Sequence, residues 1–238
     1  MSAPPGRAAP RLGDPDFLLP ERRQRIDRAV ESRTRTLTVV MEAFCDPQNV
    51  NAVLRTCDAV GVQEVHVVEG SMKPYERNRK ISQNADKWLD VVRWRSTGEC
   101  LAALRARGFA LYATSLGEGS RPLGELSFEG KVALIFGNES RGVSDEALSL
   151  ADARYALPMR GLVQSLNVSV AAAVSLFHAV ERRERDRGRH GDLEEAEAEA
   201  LRQRFYVLAV KQRARIAKAE AVEARRLSGR AGRRVRRG

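Results

Sequence analysis

Leu157-Pro158-Met159-Arg160-Gly161-Leu162-Val163-Gln164-Ser165-Leu166-Asn167-Val168-Ser169-Val170 joins a short apolar strand to a helix rich in Ala and Val. The strand runs into a proline and a glycine-containing turn, and Gln-Ser-Leu-Asn opens the helix. Polar turns between two buried elements commonly hold a ligand. Ser165 or Asn167 alone would suffice to cap the helix. Two capping-type residues plus Gln164 exceed that need.

The same alternation of apolar runs and helical stretches starts at Leu37. Strands are predicted at Leu37–Met41, Val65–Val68, Val91–Trp94, Ala110–Thr114, Val132–Phe136 and Arg154–Leu157. Helices are predicted at Asn49–Val60, Cys100–Arg107 and Ser144–Ala151, with a long one from Asn167. Asp145 and Glu146 suit the first turn of the third helix, where the helix dipole favours acids. Short β-branched strands between helices give an α/β fold, a mostly parallel sheet flanked by helices. No internal repeat is visible, and neither GxGxxG nor the P-loop pattern for nucleotides occurs.

Three regions follow from composition. Residues 1–36 form an N-terminal extension, disordered over 1–20 where Pro, Gly, Ala and Arg dominate, then helical from Glu21 to about Thr34. Residues 37–186 form the α/β domain. Residues 187–238 form a helical, basic C-terminal extension, with Leu201, Phe205, Leu208 and Val210 as its apolar face. The net charge is +10, and from Lys211 to Gly238 eleven Lys/Arg face two Glu. The tail therefore carries almost all of the excess, which suits an anionic polymer such as RNA. No apolar run is long enough for a membrane span and the N-terminus has no secretory h-region, so a cytoplasmic protein is expected. Cys45, Cys57 and Cys100 show no metal-type spacing and read as free thiols. His66, His178 and His190 read as core or surface residues, and no metal cluster is expected.

Two further stretches carry polar residues at element ends. In Asp46-Pro47-Gln48-Asn49-Val50-Asn51-Ala52-Val53-Leu54-Arg55-Thr56-Cys57, proline suits the first helical turn. Val50, Val53, Leu54 and Cys57 follow the helical core spacing, leaving Asn51, Arg55 and Asp58 on another face. Arg55 either pairs with Asp58 or serves a site. In Val132-Ala133-Leu134-Ile135-Phe136-Gly137-Asn138-Glu139, the strand ends at a glycine that lets backbone approach a ligand. Glu139 then stands at the carboxyl edge of the sheet, where α/β proteins build their sites. A turn with a capping role is the simpler alternative.

Together, NVNAVLRTCDAVG (49–61), LIFGNESRGVSDEALSLAD (134–152) and LPMRGLVQSLNVSVAAAVSLFHA (157–179) resemble the three motifs of the SpoU/TrmH branch of the SPOUT methyltransferases, in order and spacing. The resemblance covers about Leu37 to Arg183 and is strongest to the TrmH group, which methylates the ribose 2′-hydroxyl of a guanosine in the tRNA D-loop. It implies a SPOUT fold with a C-terminal trefoil knot, an exception to the rule against threading, and a homodimer with sites near the subunit interface. It also implies S-adenosylmethionine as methyl donor and tRNA as partner. Donor contacts carry over to Thr114, Gly137, Leu157, Met159, Ser165 and Leu166, and the catalytic centre to Asn49, Arg55, Glu139 and Asn167.

Arginine as a literal base at neutral pH would cost on the order of 8 kcal/mol. Arg55 is therefore expected to clamp a phosphate and stabilise the developing 2′-alkoxide, with phosphate or water taking the proton. Glu139 and Asn49 are expected to position Arg55, and Asn167 to shape the donor loop. A 23S-type ribosomal RNA ribose 2′-O-methyltransferase and a non-catalytic RNA-binding or assembly factor are the alternatives.

Overall fold

The computed structural model describes residues 18–69 and 85–211. The expectations for residues 1–17, for most of the 70–86 connection and for the arginine-rich end beyond Lys211 lie outside the described residues. The chain divides into two compact units, 31–193 and, from its two ends, 1–30 with 194–238.

Unit 31–193 is built on a seven-stranded sheet. Its strands are β1 (Leu37–Glu42), β2 (Glu64–Val68), β3 (Asp90–Trp94), β4 (Phe109–Thr114), β5 (Arg121–Pro122), β6 (Lys131–Phe136) and β7 (Ala153–Ala156). They lie in the order β3-β2-β1-β6-β4-β7-β5, and every pair is parallel. Two-residue β5 has no apolar run, which is why periodicity alone passes it over.

Central strands alternate their side chains between two cores, as pleating requires. Leu37, Val39 and Met41 of β1, with Val132, Leu134 and Phe136 of β6, join one cluster. In that cluster they meet Val50, Val53, Leu54 and Cys57 of α2 (Pro47–Ala59) and Ala172, Leu176 and Ala179 of α5 (Val168–Arg187). Val40, Ala133 and Ile135 point the other way, to Cys100, Leu101 and Leu104 of α3 (Thr97–Ala106) and Ala147 of α4 (Asp145–Leu150). Burial on both faces explains the near-continuous apolar runs of β1 and β6.

The unit is wider than the expected 37–186 because chain beyond both limits is sealed against it by charge. Asp192 accepts from the Arg35 N–H at 2.9 Å and from the Thr34 and Thr36 hydroxyls. It also pairs with Arg183, 1% exposed, at 3.0 Å. Arg33, likewise buried, pairs with Asp58. The alternative Arg55–Asp58 contact is thereby corrected: an arginine on the preceding strand approach takes that carboxylate.

The other unit contains most of α1 (Pro20–Glu31) and a helix over 195–211. Asp27 accepts from the Tyr206 hydroxyl and lies 3.6 Å from the Arg202 guanidinium. The buried face of the second helix is Ala198, Leu201, Phe205, Tyr206 and Ala209. Leu201 and Phe205 match expectation, whereas Leu208 and Val210 are only half-buried.

His190 is 6% exposed. Burial, aided by the Arg183 guanidinium, pushes its pKa from 6.5 down to about 4. Between those values the unfolded chain binds more protons than the folded one, so stability falls as pH drops through the window. His190→Gln is expected to remove a slope worth on the order of 2–3 kcal/mol between pH 6.5 and 4, read from urea unfolding midpoints.

Candidate active site

The strand order reverses beside β1: β2 and β3 extend to one side, β6 and β4 to the other. Loops leaving the carboxyl ends of β1, β6, β4 and β7 meet there, the position at which open α/β sheets bind ligands.

Glu139 is the hub of these loops. Its Oε2 accepts from the Cys45 N–H at 3.0 Å. Its Oε1 accepts from the Asp46 N–H at 3.1 Å and from Asn49 Nδ2 at 2.9 Å. Burial works against the charge, but these hydrogen bonds, Asn49 foremost, outweigh it and hold the carboxyl below its ordinary range. Asn49 Oδ1 in turn accepts from Asn167 Nδ2 at 3.1 Å. Asn167 Oδ1 caps α5 through the Ser169 N–H at 2.9 Å. Of the two candidate caps in the opening stretch, Asn167 is the one used.

Asn138 is a further loop residue of the site, one that the sequence pattern does not single out. It is 7% exposed, and its amide donates to the Ala43 carbonyl at 2.8 Å while its oxygen receives the Ser140 and Arg141 N–H groups. Gly137 lets the 137–143 loop fold back on itself, because a Cβ there would lie 2.1 Å from the Gly142 carbonyl carbon and the Val143 nitrogen. The glycine requirement thus comes from the loop's own packing as well as from proximity to the cavity.

A cavity of about 730 Å³ opens between the loops after β4, β6 and β7. Thr114, Gly137, Leu157, Met159, Ser165 and Leu166 all line it, as do Glu139 and Asn167. Its size and mixed apolar and polar walls suit a nucleoside-sized ligand. Leu157, Met159 and Leu166 give the cavity its apolar surface.

Arg55 does not join this cluster. It lies on the exposed face of α2, about 9 Å along the axis from Asn49, and makes no hydrogen bond or ion pair with another described residue. Glu139 and Asn49 position each other and the start of α2, not Arg55, which corrects the role expected for them. Asp46 accepts from the Gln48 N–H at 2.8 Å and caps that helix.

The SpoU rRNA Methylase family model matches residues 36–177. The chain belongs to the SpoU methylase family. This SpoU protein is 44% identical over 164 residues to the tRNA (guanosine(18)-2′-O)-methyltransferase of Thermus thermophilus, covering 68% of this chain and 83% of that protein. Its structure is similar to that of the Aquifex aeolicus TrmH/SpoU tRNA modifying enzyme, with a TM-score of 0.72, 31% identity, and coverage of 79% and 96% of the two chains. It is also similar to the SpoU methyltransferase AviRb from Streptomyces viridochromogenes in complex with the cofactor AdoMet, with a TM-score of 0.55, 28% identity, and coverage of 64% and 61%.

Gly137→Ala is expected to push the 138–143 loop away from β6 and lower stability by about 1–3 kcal/mol in urea unfolding. Unchanged stability would mean that the loop relaxes without strain.

Proposed function

We propose that this SpoU protein transfers a methyl group from S-adenosylmethionine to the ribose 2′-hydroxyl of a tRNA D-loop guanosine. One observation carries the reading: the six residues assigned to the donor from sequence line a single cavity, bordered by the Glu139–Asn49–Asn167 chain. The names of its relatives, tRNA (guanosine(18)-2′-O)-methyltransferases at 32–44% identity, support the substrate.

S-adenosylmethionine, when bound, supplies an activated methyl group. Leu157, Met159 and Leu166 would hold its adenosine, with the Gly137 loop as the opposite wall. Glu139 keeps its negative charge at neutral pH because its hydrogen bonds favour the carboxylate, so it serves as a fixed acceptor rather than a proton shuttle. Arg55 stands solvent-facing on α2, accessible to a substrate phosphate, and would stabilise the 2′-oxygen as its proton leaves to phosphate or water.

The working form is a homodimer. Val170, Val174 and Phe177 on α5 are 46%, 45% and 60% exposed and form an apolar stripe at helical spacing. Leu162 and Val163 add to the exposed apolar surface, and a second copy of the chain is the partner that would cover it. A trefoil-knotted C-terminal part is in keeping with the bond from Asn167, at the end of the 157–167 segment, to Asn49 at the start of α2. No helix among the described residues is long and apolar enough to cross a membrane, and the cytoplasm is where the tRNA substrate resides. The methyltransferase domain expected at 37–186 takes in the flanks of its compact unit, 31–193, and the chain beyond it on either side would help to hold RNA.

Arg55→Ala should show the same rise in melting temperature with S-adenosylmethionine as the parent. Its single-turnover methyl transfer should fall at least about 100-fold. Retained turnover rejects the role of Arg55. Failure of the parent to respond to the donor rejects the donor site. Truncation after Lys211 is expected to flatten the salt dependence of tRNA binding, since the removed residues carry the basic excess.

A further inference from the structure

We propose that Glu42 is a positioning residue of the methyl-transfer site, holding the 137–144 loop against the donor cavity. The proposal rests on the reading of that cavity as the donor site.

Glu42 ends β1 and is 4% exposed. No cation among the described residues pairs with it. Its carboxylate is satisfied by hydroxyl and N–H donors alone. Oε1 accepts from the Thr97 hydroxyl at 2.5 Å and from the Ser144 hydroxyl at 2.6 Å. Oε2 accepts from the Ser144 N–H at 2.9 Å. Ser144 is also the N-cap of α4, its oxygen accepting from the Ala147 N–H. One buried carboxylate therefore fastens the far end of the loop and the start of α4 to β1, and the first residue of α3 with them.

The fastening matters because the loop packs on the core at Val143 and is otherwise bordered by open space. A second cavity, of about 530 Å³, opens on the side away from the donor cavity. Asn138, Arg141, Gly142, Val143 and Asp145 line both spaces, so the loop is a thin partition between them. Its location depends on tethers at its ends: Asn138 to the Ala43 carbonyl at one, Ser144 to Glu42 at the other. Both tethers attach to consecutive residues of β1 and its exit. A carboxylate fits this post because it accepts from all three at once. An amide could keep the Ser144 N–H on its oxygen only by turning its NH₂ to the Thr97 and Ser144 hydroxyls, which would then have to accept, losing the charge-assisted bonds.

Glu42→Gln is expected to weaken S-adenosylmethionine binding about tenfold by titration calorimetry below the melting temperature, with kcat lowered as well. Ser144→Ala keeps the backbone donor and should give a smaller loss of the same kind. The double variant should bind within about twofold of Glu42→Gln, because both changes break one interaction. A lower melting temperature with donor affinity and kcat unchanged would overturn the proposal, since a purely structural residue behaves that way. Should Glu42→Gln fail to fold, Thr97→Val and Ser144→Ala decide the question, and parental donor affinity in both overturns it. Absence of donor binding by the parent protein would instead refute the donor site on which the proposal rests.

Discussion

The Glu139 carboxylate takes hydrogen bonds from the Cys45 and Asp46 N–H groups and from Asn49, and the geometry of the carboxyl end of the sheet hangs on that bond set. It joins the loop after β6 to the link between β1 and α2. Through Asn49 and Asn167 it reaches the start of α5 as well. Glu42 and Asn138 fasten the same two segments at neighbouring points. Ala43, in the middle, sits at φ +52°, a conformation that costs a non-glycine residue about 1–2 kcal/mol. Such strain persists where surrounding bonds over-determine the backbone, and here they do.

The two ends of the sheet are built differently. At the amino end, Arg33, Arg183 and Asp192 are paired and their polar neighbours close over them. Burial, together with Arg187, lowers the Arg183 pKa to about 10, while hydrogen bonds hold the Asp192 carboxyl below its ordinary range despite burial. Buried pairs of this kind cost desolvation and reward completion, so removing one partner leaves a stranded charge. At the carboxyl end, loops border open cavities and are held by discrete hydrogen bonds together with local packing at Gly137 and Val143. Closed charge pairs at one end and cavities at the other fit a protein that must admit a donor and an RNA.

Much of this was legible in the sequence because periodicity reports burial. β1 and β6 announced themselves as apolar runs, and α2 by Val50, Val53, Leu54 and Cys57. That Thr114, Gly137, Leu157, Met159, Ser165 and Leu166 line one cavity agrees with the motif resemblance, which carries information that spacing lacks. Long-range polar pairing was not legible. Nothing local to Asp58 says that Arg33 takes it in place of Arg55, and nothing near Glu42 says that Ser144, a hundred residues on, will donate to it. Asp192 falls within the charged C-terminal extension, and nothing local to it announces its partners, Thr34, Arg35 and Thr36, more than 150 residues upstream. Arg55 stood out as a lone arginine on an apolar helix, yet its exposed setting and its distance from the cavity needed coordinates.

The central claim is a chemical one, and labelled methyl transfer tests it most directly. Purified protein with radiolabelled S-adenosylmethionine is offered unmodified tRNA and, separately, ribosomal RNA, and the labelled nucleoside is mapped. The account predicts label in tRNA alone, as 2′-O-methylguanosine in the D-loop. Label confined to ribosomal RNA, or none in either with donor bound, would contradict it.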